Sequence, residues 1–230
     1  MNKAFSNTLY PTLVIFCKRP LLGQGKSRLA AGIGKQGALL IAEKLVVCAL
    51  EDAENWPGAV VLTVSNKCDA NWAAAQFPSS DLILTQTEGN LGQRINAIDE
   101  TLRELGHERL VFIGTDAPVL NTAHYVEVIT KLNVHEFVFS PAEDGGVTIM
   151  ANTKPWPCLS HLPWSTSRLG QDLMDLVGVG SPNNIAVIPT TFDIDERNDL
   201  VKASRVLSED MREGRRALCS SINVTLYQSV

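Results

Sequence analysis

Short, almost purely apolar runs alternate along the chain with longer stretches in which apolar positions recur every three or four residues. The apolar runs predict buried strands over residues 12–17, 59–64, 81–85, 109–113, 136–140, 147–150 and 185–188. The amphipathic stretches predict helices over about 37–53, 91–105, 122–132, 166–176 and 196–212. Asn90 and Asn121 stand where an N-cap is needed, because an Asn side chain accepts from the free N–H groups of a first helical turn. Strands that are apolar throughout must be covered on both faces. Separated by helices, they imply an α/β fold of three layers, α/β/α, around a mostly parallel central sheet.

Nothing in the pattern repeats. The Pro-rich stretch 154–163 reads as a long loop within one domain spanning 1–213, and residues 214–230 are expected to form a poorly ordered tail. Composition keeps this picture and excludes others. With 45% hydrophobic and 20% charged residues, the chain is neither disordered nor a fibrous rod. No apolar run approaches the ~20 residues of a membrane span. The opening residues lack the apolar core of a secretory signal. Five cysteines without a C-x-x-C pair are expected to be free thiols in a reducing cytoplasm, and four histidines show no metal-ligand spacing.

A net charge of −5 argues against a nucleic-acid partner. Its distribution is more informative. Residues 1–42 hold Lys3, Lys18, Arg19, Lys26, Arg28 and Lys35 and no acid, so the rest of the chain carries a net −11. Four of these cations fall in Lys18-Arg19-Pro20-Leu21-Leu22-Gly23-Gln24-Gly25-Lys26-Ser27-Arg28, directly after the first strand. Glycines let backbone N–H groups approach phosphate oxygens, and Lys and Arg neutralise them, so this loop suits a di- or triphosphate. Gly25-Lys26-Ser27 is only the end of a P-loop, since Pro20 stands where its first glycine belongs. Gly32-Ile33-Gly34-Lys35-Gln36-Gly37 spells a dinucleotide fingerprint too far from the strand to serve as one.

Ligands of such sheets bind beyond the carboxyl ends of the strands, so the residues just after each strand are the candidates for chemistry. Asp116, in Gly114-Thr115-Asp116-Ala117-Pro118, is a candidate Mg²⁺ or Mn²⁺ ligand; the alternative is a turn cap. Asp144, before Gly145 and Gly146, is a candidate base or hydroxyl ligand, or simply part of a hairpin turn. Trp164 offers a ring face to a sugar or base, beside Ser165 and Thr166, which suit an N-cap. Asp193 and Asp195 alternate along an extended segment, so one is expected to join Asp116 on the metal and the other to cap the last helix.

In this order the segments K-R-P-L-L-G-Q-G-K-S-R-L, Gln86…Leu91-Gly92-Gln93-Arg94, G-T-D-A-P, D-G-G, P-W-S-T and D-I-D-E-R-N-D-L resemble the DUF2064 family over about residues 12–202. The resemblance implies the GT-A fold of the nucleotide-diphospho-sugar transferases. It implies glycosyl transfer from a nucleotide sugar to a small-molecule acceptor, with members often linked to radical-SAM, selenium or arsenosugar gene contexts. Lys18, Gly23, Gly25, Lys26, Ser27, Arg28, Gly92, Arg94, Gly145, Gly146 and Trp164 would then bind the nucleotide donor, Asp116 and Asp193 the metal, and Asp116 and Asp144 would be catalytic. The K-P…G…K-S-R-L loop is also similar to that of phospholactate guanylyltransferases. That implies the alternative of nucleotidyl transfer from a triphosphate with release of pyrophosphate. Two further readings stand beside these: a P-loop NTPase, and a nucleotide-binding protein without turnover. Family members commonly continue D-G-G with an aromatic residue and another glycine; here Val147-Thr148-Ile149-Met150 takes that place.

Overall fold

A computed structural model describes residues 10–179 and 184–228; Lys3, the first of the six early cations, lies outside them. Seven strands form one sheet: β1 (Thr12–Cys17), β2 (Val60–Val64), β3 (Leu82–Thr85), β4 (Leu110–Gly114), β5 (Phe137–Pro141), β6 (Val147–Asn152) and β7 (Ile185–Val187). Their order is β3-β2-β1-β4-β6-β5-β7. Every pairing is parallel except those of β6, which runs antiparallel between β4 and β5.

Side chains alternate across the strands and build two cores. Leu13, Ile15, Val111, Ile113, Ile149 and Ala151 face one side. There they meet α1 (Ser27–Glu54), α2 (Ala70–Gln76) and α4 (Thr122–Lys131). Val14, Leu110, Phe112 and Met150 face the other, against α3 (Leu91–Glu104), α5 (Leu169–Gly178) and the Pro-rich loop, whose Trp156 and Leu159 are buried. This is the expected three-layer arrangement. A third core lies outside α1, where α6 (Arg197–Val206) and α7 (Glu213–Gln228) pack on Leu29, Ile33, Ile41 and Leu45.

Three expectations change. The first long helix begins at Ser27, ten residues before the predicted start, with a break at Gly34. Its glycines look like loop residues but serve close packing: a Cβ on Gly32 would stand 2.9 Å from Arg197 Cβ, and one on Gly37 3.0 Å from Thr225 Cγ2. The G-x-G-x-x-G string is therefore a helix–helix contact. The predicted helix over 196–212 ends as α6 at Val206 and gives way to a turn and loop over 207–212, and residues 213–228 are a separate packed helix, α7, rather than a loose tail. Leu218 and Ile222 are fully buried, and so is Arg215. No helix among the described residues is long and apolar enough to cross a membrane.

Candidate nucleotide and metal site

The basic loop leaves the end of β1 and turns back tightly, Gln24 N donating to Leu21 O (3.0 Å). Gly23 and Gly25 hold left-handed φ values of +73° and +71°. Lys26 comes next at φ +45°, a conformation that costs a side-chain-bearing residue energy and is kept only when its surroundings hold it. A set of oxygens from two distant segments does so. The Lys26 ammonium donates to Ile194 O (2.5 Å) and lies 3.0 Å from both Asp195 Oδ1 and Asp116 Oδ2. Ile194 N in turn donates to Asp116 O (2.9 Å), tying the end of β4 to the segment before α6. Burial disfavours the ammonium, but the two carboxylates outweigh that, and the Lys26 pKa is raised.

Two of the loop's other cations also meet acids. Arg28 pairs with Asp195 and, at 3.7 Å, with Glu196. Arg19 lies 3.7 Å from Asp69. Lys18 is exposed, with its ammonium over Gly25. Ser27 is exposed at the first position of α1. A helix does begin right after Gly25-Lys26, as a P-loop requires, yet the lysine is turned to the carboxylates.

Asp116 and Asp193 line one cleft of about 200 Å³ between the sheet, α3 and α5. The alternation of Asp193 and Asp195 therefore holds. Asp193 faces the cleft, but Asp195 takes Lys26 and Arg28 instead of capping α6. Asp199 does the capping, its Oδ2 accepting from Asp195 N (2.9 Å) and Glu196 N (2.7 Å). Burial, and then the charges of Asp195 and Asp144, push the Asp193 carboxyl up to about 6. Cys17, at the end of β1, is pushed up to about 12 by burial and by Asp116 and Asp69, which makes it a poor nucleophile.

The other expected residues act through the loops. Asp144 is exposed in the β5–β6 turn, its Oδ1 accepting from Gly146 N (2.9 Å), and it does not line the cleft. Gly145, at φ +89°, has no room for a Cβ beside the Ser167 carbonyl, and its own carbonyl accepts from Gly170 N (2.8 Å). The glycine pair thus seats the turn against the segment leading into α5. Gly92 is buried, and a Cβ there would overlap the Leu159 carbonyl. Arg94 Nε donates to Gly89 O (3.0 Å). Gly92 and Arg94 thus fix the Pro-rich loop and the entry to α3. Trp164 presents its ring to the cleft while Nε1 donates to Leu159 O (2.9 Å). Ser165, at φ +66°, is not an N-cap, because α5 starts three residues beyond Thr166. Sequence reasoning missed Asp195 as the partner of Lys26; its only signal was an acid spaced two residues from Asp193.

The DUF2064 family, described as an uncharacterized protein conserved in bacteria, matches residues 48–166. No curated protein matches the chain. Among solved structures, the chain is similar to a candidate nucleotide-diphospho-sugar transferase from Desulfovibrio desulfuricans G20. The TM-score is 0.84 at 19% identity, over 95% of this chain and 97% of that one. It is also similar to 4-diphosphocytidyl-2C-methyl-D-erythritol synthase from Anaerococcus prevotii DSM 20548, with TM-score 0.55 and 10% identity over 87% and 99% of the two chains. CMP:2-keto-3-deoxy-manno-octonic acid synthetase complexed with CTP gives TM-score 0.50 and 12% identity, over 87% and 100%. At these identities the likeness is one of fold.

Proposed function

The chain belongs to the DUF2064 family, and from that premise we propose that it is a metal-dependent transferase using a nucleotide-activated donor, a glycosyltransferase acting on a nucleotide-diphospho-sugar. One observation carries this reading: the Lys26 ammonium joins the phosphate-suited loop to Asp116, on a cleft shared with Asp193. Cation-rich loop and carboxylates thus meet where a diphosphate and its metal would need them together.

The residues fit a hard divalent cation. Asp116 and Asp193 both line the cleft, and no third acid, His or Cys completes a closed cage among the described residues. Mg²⁺ and Mn²⁺ suit such a half-site, because substrate phosphate oxygens and water fill the rest of their shell. Asp116 and Asp193 would hold the ion, and when bound it supplies charge neutralisation at the diphosphate. Burial and the neighbouring Asp195 and Asp144 crowd negative charge at Asp193 and raise its pKa, and a cation there would relieve that crowding.

The work of this chain's own residues is positioning and electrostatics. In glycosyl transfer the bond from the sugar anomeric carbon to the diphosphate oxygen breaks. A bond from that carbon to the acceptor atom forms, and the acceptor's proton passes to the departing diphosphate or to solvent. Lys18, Lys26 and Arg28 meet the charge on the departing nucleoside diphosphate. The relatives in fold support a nucleotide-using transferase. The one named for nucleotide-diphospho-sugar transfer aligns over nearly the whole chain, and this weighs toward the glycosyl reading. Nucleotidyl transfer from a triphosphate is the second reading. It is favoured by the start of α1 at Ser27, directly after the two left-handed residues Gly25 and Lys26, a suitable seat for a polyphosphate.

Thermal stabilisation by nucleotide sugars and by nucleoside triphosphates, each with and without Mg²⁺ or Mn²⁺, tests the proposal. Metal-dependent preference for a nucleotide sugar is expected, with nucleoside diphosphate as product. Preference for a triphosphate with pyrophosphate release transfers the assignment to the second reading. No response to either class removes both.

A further inference from the structure

Apart from Asp116 and Asp193, the wall of the cleft is apolar: Phe16, Phe112, Val147, Met150, Trp164 and Leu169 make most of it. The polar atoms its other side chains carry are already engaged. Trp164 Nε1 donates to Leu159 O (2.9 Å). Thr148 Oγ1 bonds Thr191 Oγ1 (2.5 Å) and reaches Ser140 O (3.4 Å). An acceptor sugar lodged against this wall, away from the carboxylates that face the donor, would bury hydroxyls against partners that are already committed. A desolvated polar group without a partner is penalised, whereas an apolar group gains by leaving water. The volume is also informative. A dry apolar cavity of about 150 Å³ holds one benzene ring, so about 200 Å³ accommodates a group of one ring. Val147, Thr148 and Met150, after the D-G-G turn, supply the part of this wall that comes from β6.

We propose that the cleft selects an acceptor with an apolar group one ring in size, aromatic or alicyclic, beside the atom that receives the transferred group. The carboxylates mark the reacting end and the apolar wall seats the remainder. This rests on the reading of Asp116 and Asp193 as the metal and donor side of the same cleft. It narrows the acceptor from any small molecule to one that is not a free sugar.

The test uses the whole chain, with benzyl alcohol and glucose as probes in ligand-observed NMR. A second arm monitors thermal stabilisation by nucleotide sugar and Mg²⁺. Benzyl alcohol is expected to bind at least tenfold more tightly than glucose. Val147→Asp, which puts a charge on the wall at a partly exposed position, should weaken benzyl alcohol at least tenfold while the nucleotide response persists. If that variant does not fold, Val147→Phe fills the cleft and should weaken it likewise. Binding of glucose in preference, benzyl alcohol binding unaffected by the folded Val147 variant, or displacement of benzyl alcohol by nucleotide alone overturns the proposal. Loss of the nucleotide response in the wild type, by contrast, strikes the proposed function itself.

Discussion

The Lys26 ammonium sits 3.0 Å from Asp116, so the cation of the phosphate loop and the carboxylate assigned to the metal neutralise each other. Asp195 holds the same ammonium from the other side at 3.0 Å. Lys26 is 12% exposed, Asp116 45% and Asp195 28%, so water screens the acids more than the base. Lys26→Met removes the cation between the two carboxylates, leaving Asp195 with Arg28 alone and Asp116 without its partner. The expected cost is about 1–2 kcal/mol, at the low end for an orphaned polar group because Asp116 is so exposed. Urea unfolding midpoints measure it, and nucleotide affinity should fall in the same variant even without metal.

Asp116→Asn separates fold from function. Lys26 keeps Asp195 and the Ile194 carbonyl, so stability should stay within about 1 kcal/mol of the wild type. The Mg²⁺- or Mn²⁺-dependent part of stabilisation by a nucleotide sugar should disappear. Thermal melts with and without metal read the two effects independently, and an unchanged metal response would refute the assignment of Asp116.

How much of the fold and site was legible in the sequence depends on the range over which each feature is decided. The strands were legible because residues such as Leu13, Val14 and Ile15 are wholly buried, and apolar residues on both faces leave an unbroken run. The N-caps at Asn90 and Asn121 are local and read directly. The reversal of β6 was not legible, since a short apolar run carries no direction. Residues 27–36 concealed a helix because packing against Arg197, far along the chain, dictates Gly32, and Gly34 breaks the helix at φ +78°. The same distance hid the pairing of Lys26 with Asp195, 169 residues apart. Sequence placed the basic loop and Asp116 at strand ends; only folding revealed that they touch.

Asp193 provides a pH signature. Its carboxyl is pushed from the ordinary 3.8 up to about 6 by burial and by Asp195 and Asp144. Between about pH 4 and 6 the folded state keeps a proton that the unfolded chain has lost. Stability of the metal-free protein from this group is therefore present at lower pH and lost as pH rises through that window. A Tm series should show Asp193→Asn gaining on the wild type as pH climbs from about 4 to 6, and the difference levelling off above that. Added Mg²⁺ should shrink the difference, since the ion takes the place of the proton.

Thiol reactivity tests the burial of β1 and α1. Burial pushes Cys17 and Cys48 up to about 12, whereas exposed Cys158 is lowered by hydrogen bonds from the Ser160 hydroxyl and backbone. Only the thiolate alkylates readily. Limited iodoacetamide treatment of the native protein, with peptide mass mapping afterwards, should modify Cys158 well before Cys17 or Cys48.

Arg215 decides whether α7 belongs to the domain. Its side chain is fully buried, donating to Pro118 O (3.1 Å) and Cys48 O (2.5 Å) and pairing with Glu51 (2.9 Å) and Asp52 (2.5 Å). Asp52 also accepts from Tyr125 Oη (2.8 Å) and pairs with Arg212 (2.9 Å). These bonds join α7 to α1, to the loop after Asp116 and to α4. Arg215→Met removes the one fully buried cation of this network and leaves Asp52 with Arg212 and Tyr125 alone, so the expected loss is about 3–5 kcal/mol. At ~2–4 °C per kcal/mol for a chain of this size, Tm should fall by roughly 6–20 °C. Ending the chain after Arg212 removes Leu218 and Ile222 as well, and should abolish the cooperative melt. A truncated chain that melted like the full one would show that α7 is an accessory, and the packing on α1 would then have to be dispensable to the core it covers.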